Sequence, residues 1–287
     1  MKTILFTIIL LFSISFVNAQ HKRAYQLYNA QGEKVSYENM LAAFQDADII
    51  LFGEFHNNPI AHWLQYEVSF DLLRENQLTF GAEMFEADNQ RALTLYLKDS
   101  IDFKGLDSLA RLWPNYKTDY APLVDLAKEN NQPFIATNIP RRYANMVYKK
   151  GFEVLDSLTE KEKSWIAPLP IEYDPELPGY KNMLNMMGGH GGENLPKAQA
   201  IKDATMAYFI AQNFNPENKF IHFHGTYHTD NYEGIFWYLK RWMPEVKYIT
   251  ISTVMQSEIN QLEKNNKGKA DFIICVDEDM TTTYKNN

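Results

Sequence analysis

The apolar positions of this chain follow two rhythms. Short, near-continuous runs rich in β-branched and aromatic residues occupy 48–52, 78–85, 133–137, 219–223, 246–254 and 270–276. Runs of that length and content suit strands buried on both faces. Between them, apolar residues recur every three to four positions over 59–75, 87–97, 120–130, 140–150, 159–166, 196–213 and 232–242, the period of a helix. Pro59, Pro140 and Pro196 stand near the starts of three of these, where a missing N–H costs little. Thr159 with Glu162 three residues on has the form of a capping box. The alternation predicts an α/β fold: a mostly parallel central sheet flanked by helices, with right-handed crossovers.

The rhythm changes at about 140–195. Helical patterns continue without strands between them, and Pro168, Pro170, Pro175 and Pro178 interrupt the chain. This predicts a helical insertion capping the carboxyl edge of the sheet. It carries a Met- and Gly-rich stretch from Met183 to Gly192. Residues 20–45 read as an N-terminal lead-in and 46–287 as one domain. Residues 255–269, polar and rich in Lys and Asn, read as an exposed excursion between two late strands, and the tail after Asp279 as frayed.

Residues 1–19 stand apart. Lys2, an apolar run from Ile4 to Phe16 and then Val17-Asn18-Ala19 form the pattern of a cleaved signal peptide. The run is shorter than a comfortable membrane span, and no later stretch predicts one. No Cys follows the cleavage pattern, so there is no lipobox, and the expected location is periplasmic or secreted. With 45% hydrophobic residues the chain can build a sizeable core. A formal net charge of −8 argues against nucleic acid or an anionic membrane as partner. The only Cys, Cys275, lies in an apolar run and reads as a buried strand residue; no internal disulfide is available.

Polar residues able to act as ligands or catalysts break the pattern at the carboxyl ends of the predicted strands. Gly53-Glu54-Phe55-His56 follows the first. Glu54 and His56, two apart in extended backbone, share a face. Glu83 interrupts the second run, where an unpaired carboxylate is costly unless a cation or a His offsets it. Asn138, with Arg141 and Arg142 close behind, follows the third, and His224 and His228 end the fourth. Parallel sheets build their sites at that edge. Glu54, His56, Glu83 and His228 therefore form a candidate site. They suit either a divalent metal such as Zn, Mn or Co, or acid–base activation of water, with Asn138 in support and Arg141 or Arg142 facing a developing oxyanion. Singly, each has an ordinary structural explanation. His21, His62 and His222 read as hydrogen-bonded structural residues, and Glu83 can pair with Arg141 or Arg142. The joint placement favours a site.

Gly188 to Gly192 lacks the Lys-Ser/Thr ending of a phosphate loop and reads as a turn presenting His190. The Met cluster before it reads as core filler or, beside Tyr180 and His190, as the lining for a flat cofactor. Gln199 and Asp203 share a face of the 196–213 helix and can orient His228 or His56, with His224 in a similar outer role.

Gly53-Glu54-Phe55-His56-Asn57-Asn58-Pro59, Gly81-Ala82-Glu83-Met84-Phe85, the Gln-x3-Asp-x2-Met-Ala helix through Gln199, Asp203, Met206 and Ala207, and Gly225-Thr226-Tyr227-His228 together resemble the ChaN-like haem-binding uptake proteins. That superfamily also contains Tiki proteases, TraB-type proteins and erythromycin esterases. The resemblance covers about 46–251, and the Gln-x3-Asp helix is its most discriminating piece. It implies an exported protein of an iron or haem acquisition system, with haem held at a homodimer interface by a Tyr ligand and passed among periplasmic or outer-membrane transport components. Tyr180 and His190 are the leading candidates for the haem-binding residues, with the other Tyr residues still open. Many relatives are lipoproteins, which this chain is not expected to be, and Thr226 and Tyr227 stand where smaller or less aromatic residues are common.

Three functions compete: haem binding; a metal-dependent or His/Glu acid–base hydrolase acting on esters or peptides; and an interaction module without either activity. The branch-specific helix places haem binding first.

Overall fold

The computed structural model describes residues 22–185 and 192–285. The leading segment and His190 lie outside the described residues. In chain order the elements are β1 (Tyr25–Asn29), β2 (Lys34–Val35), α1 (Tyr37–Phe44), β3 (Ile49–Glu54), α2 (Pro59–Leu73), β4 (Leu78–Glu86), α3 (Gln90–Leu97), α4 (Phe103–Leu109), α5 (Ala121–Glu129), β5 (Phe134–Asn138), α6 (Arg141–Lys150), α7 (Glu160–Lys163), α8 (Pro178–Asn185), α9 (Leu195–Asn213), β6 (Lys219–Gly225), α10 (Ile235–Trp242), β7 (Tyr248–Gln256) and β8 (Phe272–Asp277). Eight strands form one sheet in the order β2-β1-β8-β7-β3-β6-β4-β5. The six strands from β8 to β5 are parallel, and β1 joins β8 antiparallel and turns back through β2. This is the expected α/β class.

β3 explains why the expected runs read so plainly. All six of its residues are buried. Ile50 and Phe52 face the larger core layer with Leu64, Val68 and Leu72 of α2, while Ile49 and Leu51 face the second layer with Met206 and Ile210 of α9 and Leu239 of α10. A strand covered on both sides has no polar alternation to show. Asn58 caps α2, its side chain accepting from the N–H groups of Ile60 and Ala61, with Pro59 at the first helical turn. The Thr159–Glu162 capping box forms at α7.

Three segments differ from the sequence expectation. Residues 22–45 are integral to the sheet: β1 pairs with β8 along its length, and Met40 and Phe44 of α1 are fully buried in the main core. Tyr-Gln-Leu-Tyr-Asn reads weakly because it lies near an edge and mixes polar with aromatic residues. The excursion after β7 folds back, and Ile259 and Leu262 bury against Tyr28, Val254 and Ile273. The tail also docks. Thr283 donates its N–H to the Asn57 carbonyl at 3.0 Å and its hydroxyl to Asp119 at 2.7 Å.

The insertion stacks outside α9. Tyr143 and Val147 of α6, with Leu155, Leu158 and Ile166, pack against Ala198 and Ile201 of α9. α6 begins directly beyond the carboxyl end of β5, which brings Arg141 and Arg142 to that edge of the sheet.

Candidate functional site

At the carboxyl edge, β3 and β6 run in register, with Glu54 opposite Gly225. β4 shifts register between Ala82 and Glu86. Such an irregularity re-aims side chains, and Glu83 sits in it. These three strand ends and α9 build two histidine–carboxylate arrangements.

The first centres on Glu54. Its carboxylate is buried and accepts from His56 Nδ1 at 2.9 Å, Tyr120 hydroxyl at 2.8 Å and Gln65 amide at 2.6 Å. Burial pushes Glu54 up, but the charges of His62 and His56 and the hydrogen bonds from His56 and Gln65 together outweigh it and hold the carboxyl below its usual range. Burial pulls His56 down; the bond to Glu54 and the charges of Glu83 and Glu54 overcome this and raise it. With Nδ1 committed to Glu54, the ring directs Nε2 over Gly225, where a Cβ would come within 3.0 Å of it. Trp113 packs edge-on against the same ring at 4.8 Å.

The second centres on His228. Nδ1 bonds Asp203, and Nε2 lies 3.2 Å from Glu83. The Gln199 carboxamide sits 2.9 Å from Nδ1. Burial disfavours the imidazolium, yet the Glu83 and Asp203 charges prevail and raise the pKa to about 9. Glu83 accepts the Gly225 N–H at 2.9 Å. Burial drives its pKa upward, but His228 dominates and holds it well below the ordinary value; in Asp203 burial prevails and the carboxyl is raised. Tyr180 donates its hydroxyl to Asp203 at 2.8 Å.

Glu54, His56, Glu83 and His228 thus gather at one edge. A cleft of about 800 Å³ opens beside them, lined by His56, Glu83, Trp113, Asn138, Arg141 and Lys202 among others. Gln199 and Asp203 of α9 contact His228 and not His56. His224 lies behind the site. Its Nε2 is 2.8 Å from the Thr229 hydroxyl and its Nδ1 3.0 Å from His222 Nδ1, and burial followed by the His228 charge lowers it to about 3. Glu83 pairs with His228 rather than with an arginine. Arg142 pairs with Asp88, and Arg111 with Glu86 and Asp88.

Two expected roles find no support in the geometry. The four residues do not fit one metal ion: among the described residues no three His, Cys, Asp or Glu side chains are placed to share one, and Glu54 is enclosed by three donors. Tyr180 is 4% exposed and its hydroxyl is committed to Asp203.

Several contributors escaped the sequence reading. Gln65, fully buried, joins Glu54 to His62, whose Nδ1 is 3.2 Å from the amide oxygen. Its helical spacing on α2 carries no local signal of that role. Tyr120 arrives from a π-turn, Tyr116–Tyr120, ahead of α5. Lys202, one residue before Asp203, reaches the cleft.

A second, shallower groove of about 610 Å³ adjoins the cleft between α6 and α9. Arg141, Asn145 and Tyr148 stand one and two turns apart along α6, facing Ala198 and Lys202 of α9. Tyr148 is 40% exposed.

No helix among the described residues is long and apolar enough to cross a membrane. No curated protein matches the chain in sequence. Among solved structures, ChaN of Campylobacter jejuni, described with cofacial haem, aligns at a TM-score of 0.66 and 18% identity, covering 88% of this chain and 97% of that one. The erythromycin esterase EreC aligns at 0.51 and 10% identity, covering 89% and 98%. A Bacillus cereus protein aligns at 0.50 and 13% identity, covering 84% and 90%. At these identities the alignments establish a common fold. Residues 40–239, spanning β3 to β6 and both histidine–carboxylate arrangements, match the family described as haem-binding uptake, Tiki superfamily, ChaN, and the chain belongs to it.

Proposed function

We propose that this protein is an exported haem-binding protein of an iron or haem acquisition system, and that the groove between α6 and α9 is its haem site. Membership of the haem-binding family supports the ligand, and one local observation carries the placement: Tyr148 is the half-exposed phenol at one end of a groove whose other end is cationic. A phenolate is a suitable ligand for ferric haem. Ala144, Leu195 and Ala198 offer small apolar surface to a porphyrin face, and Arg141 and Lys202 offer charge to its propionates. Tyr148 lies seven positions beyond Arg141 on α6, about 10 Å along the axis, which suits the span from a porphyrin centre to a propionate. The groove is open, so a second copy of the chain is the proposed cover, in keeping with a homodimer. When bound, haem would supply redox-active iron; Ala144, Leu195 and Ala198 would hold it by apolar contact, Arg141 and Lys202 by its acid groups, and Tyr148 by its iron. Titration with hemin tests the reading. A saturable Soret shift is expected, lost in Tyr148→Phe. A protein that leaves the hemin spectrum unchanged would overturn haem binding, and an unaffected Tyr148→Phe would overturn the ligand.

A second reading is favoured by one observation. His56 has Nδ1 anchored on a buried carboxylate and Nε2 aimed at the cleft, the orientation of a general base. In a hydrolytic role Nε2 takes a proton from water as the water oxygen bonds to an acyl carbon, Glu54 stabilises the imidazolium, and the same proton passes to the leaving oxygen as the ester bond breaks. His228, held on both nitrogens, supplies fixed positive charge rather than a base. Hydrolysis of an ester panel, abolished by His56→Gln, is the expected result; no hydrolysis of any member would remove this reading.

A further inference from the structure

Four cations line the cleft, and two of them are already engaged. Arg111 is bonded to Glu86 and Asp88, and Arg142 to Asp88. Among the described residues Arg141 and Lys202 have no ion-pair partner. The two lining acids are also taken, Glu83 by His228 and the Gly225 N–H, and Glu86 by Arg111. The uncommitted charge facing the cleft is therefore positive.

A separate observation points to a ligand. Asn138 is 9% exposed and lines the cleft, yet its Oδ1 has no hydrogen-bond partner among the described residues. Its orientation is set, because Nδ2 donates to the Glu83 carbonyl at 3.0 Å. A buried acceptor without a partner costs about 1–3 kcal/mol, so a donor on a ligand would be favoured there. Asn138, Arg141 and Lys202 come from three elements and all line the cleft, as His56 does.

We propose that the cleft binds a small molecule carrying a carboxylate and a hydrogen-bond donor such as a hydroxyl, the carboxylate held by Arg141 and Lys202 and the donor by Asn138. Binding stands on these three residues alone; that the bound molecule is then hydrolysed rests on the acid–base reading of His56. Arg141 and Lys202 also line the α6–α9 groove. The carboxylate they hold therefore comes either from a free acid in the cleft or from a haem propionate reaching across, and one site cannot serve both at once.

The test is a titration of the full protein, with its histidine rings labelled for NMR, using glycolate, acetate and the uncharged glycolamide. Glycolate is expected to move the His56 ring signals saturably, acetate more weakly, and glycolamide not at all. Arg141→Gln combined with Lys202→Met, two side chains outside the core, is expected to weaken glycolate at least about tenfold with an unchanged circular dichroism spectrum. Equal binding of glycolamide, undiminished binding by the double variant, or no saturable shift with any of the three overturns the proposal. Adding hemin assigns the source: displacement of glycolate makes the resident carboxylate a propionate, and simultaneous binding makes it a free acid, both outcomes retaining the site. Glycolate binding without hydrolysis of anionic esters would sink the acid–base reading alone. Hydrolysis of neutral esters with no preference for anionic ones, unchanged in the double variant, would sink this proposal alone.

Discussion

Asp203, carried on α9, holds Nδ1 of His228, carried beyond β6, and so ties the helix layer to the sheet edge through one buried ion pair. Glu83 holds the other ring nitrogen, and the two carboxylates together raise His228 to about 9. The ordinary histidine value is near 6.5, so the folded state binds the proton more tightly. That stabilisation is complete below about pH 6.5 and is lost as pH rises through about 9. Urea midpoints measured from pH 6.5 to 9.5 should fall, and His228→Gln should flatten the fall. A wild-type profile parallel to that of the variant would sink this account.

The pair behind the site acts in the opposite direction. His222 and His224 are buried and both lowered, burial being the first cause; His224 reaches about 3. Their neutral forms are the folded forms. Stability from this pair is full above about pH 6.5 and declines as pH falls toward 3, because the unfolded chain then takes up protons that the folded one refuses. Replacing His224 by Asn should lower stability at pH 7 yet reduce its loss between pH 6 and 4, as read by thermal denaturation.

Gln65 touches no substrate space, but it donates to Glu54. Gln65→Leu removes a donor from a buried carboxylate. The expected cost is about 1–3 kcal/mol, with Glu54 rising toward ordinary values. Chemical denaturation measures the first effect and carbon-detected NMR of the carboxyl the second. Unchanged stability would mean that His56 and Tyr120 suffice.

Gly225 gives His56 its place. Gly225→Ala would set a methyl 3.0 Å from the imidazole, although the backbone there is ordinary extended chain. The ring must swing away while the strand stays paired. Modification of His56 by diethyl pyrocarbonate, followed by peptide mass spectrometry, should change rate by several-fold with little loss of stability. An unaltered rate would place the ring elsewhere.

Two tyrosines separate haem chemistry from scaffolding. Tyr148→Phe should abolish the Soret shift and leave stability within about 0.5 kcal/mol. Tyr180→Phe should leave the shift intact and cost about 1 kcal/mol, since its hydroxyl serves Asp203. The reverse pattern would return the iron to the interior.

The strands of the parallel sheet were legible because burial on both faces removes polar alternation, and Glu83 was conspicuous for the same reason. Legibility ended where position in space outweighs local pattern. β2 is two residues long and has no signature of its own. His62 and Gln65 follow helical spacing on α2, so nothing local distinguishes a pair facing Glu54 from ordinary packing. Tyr120 reads as a helix start, and only the π-turn aims its hydroxyl at Glu54. Tyr148 is an exposed residue on a basic helix, unremarkable until α9 lies opposite it. Thr283 belongs to a polar tail whose docking depends on Asn57 and Asp119, both distant in sequence.

The strand order also bears on how such a chain is made. β3 is flanked by β6 and β7, which lie more than 160 residues later. During synthesis this strand, buried along its whole length, emerges early and its neighbours emerge late. Long-range parallel pairing is slow to form, and an unpaired apolar strand invites aggregation. Assembly of the sheet centre must wait until nearly the whole polypeptide is available, so a holding chaperone or an export channel that keeps the chain extended would favour its yield more than any single stabilising substitution.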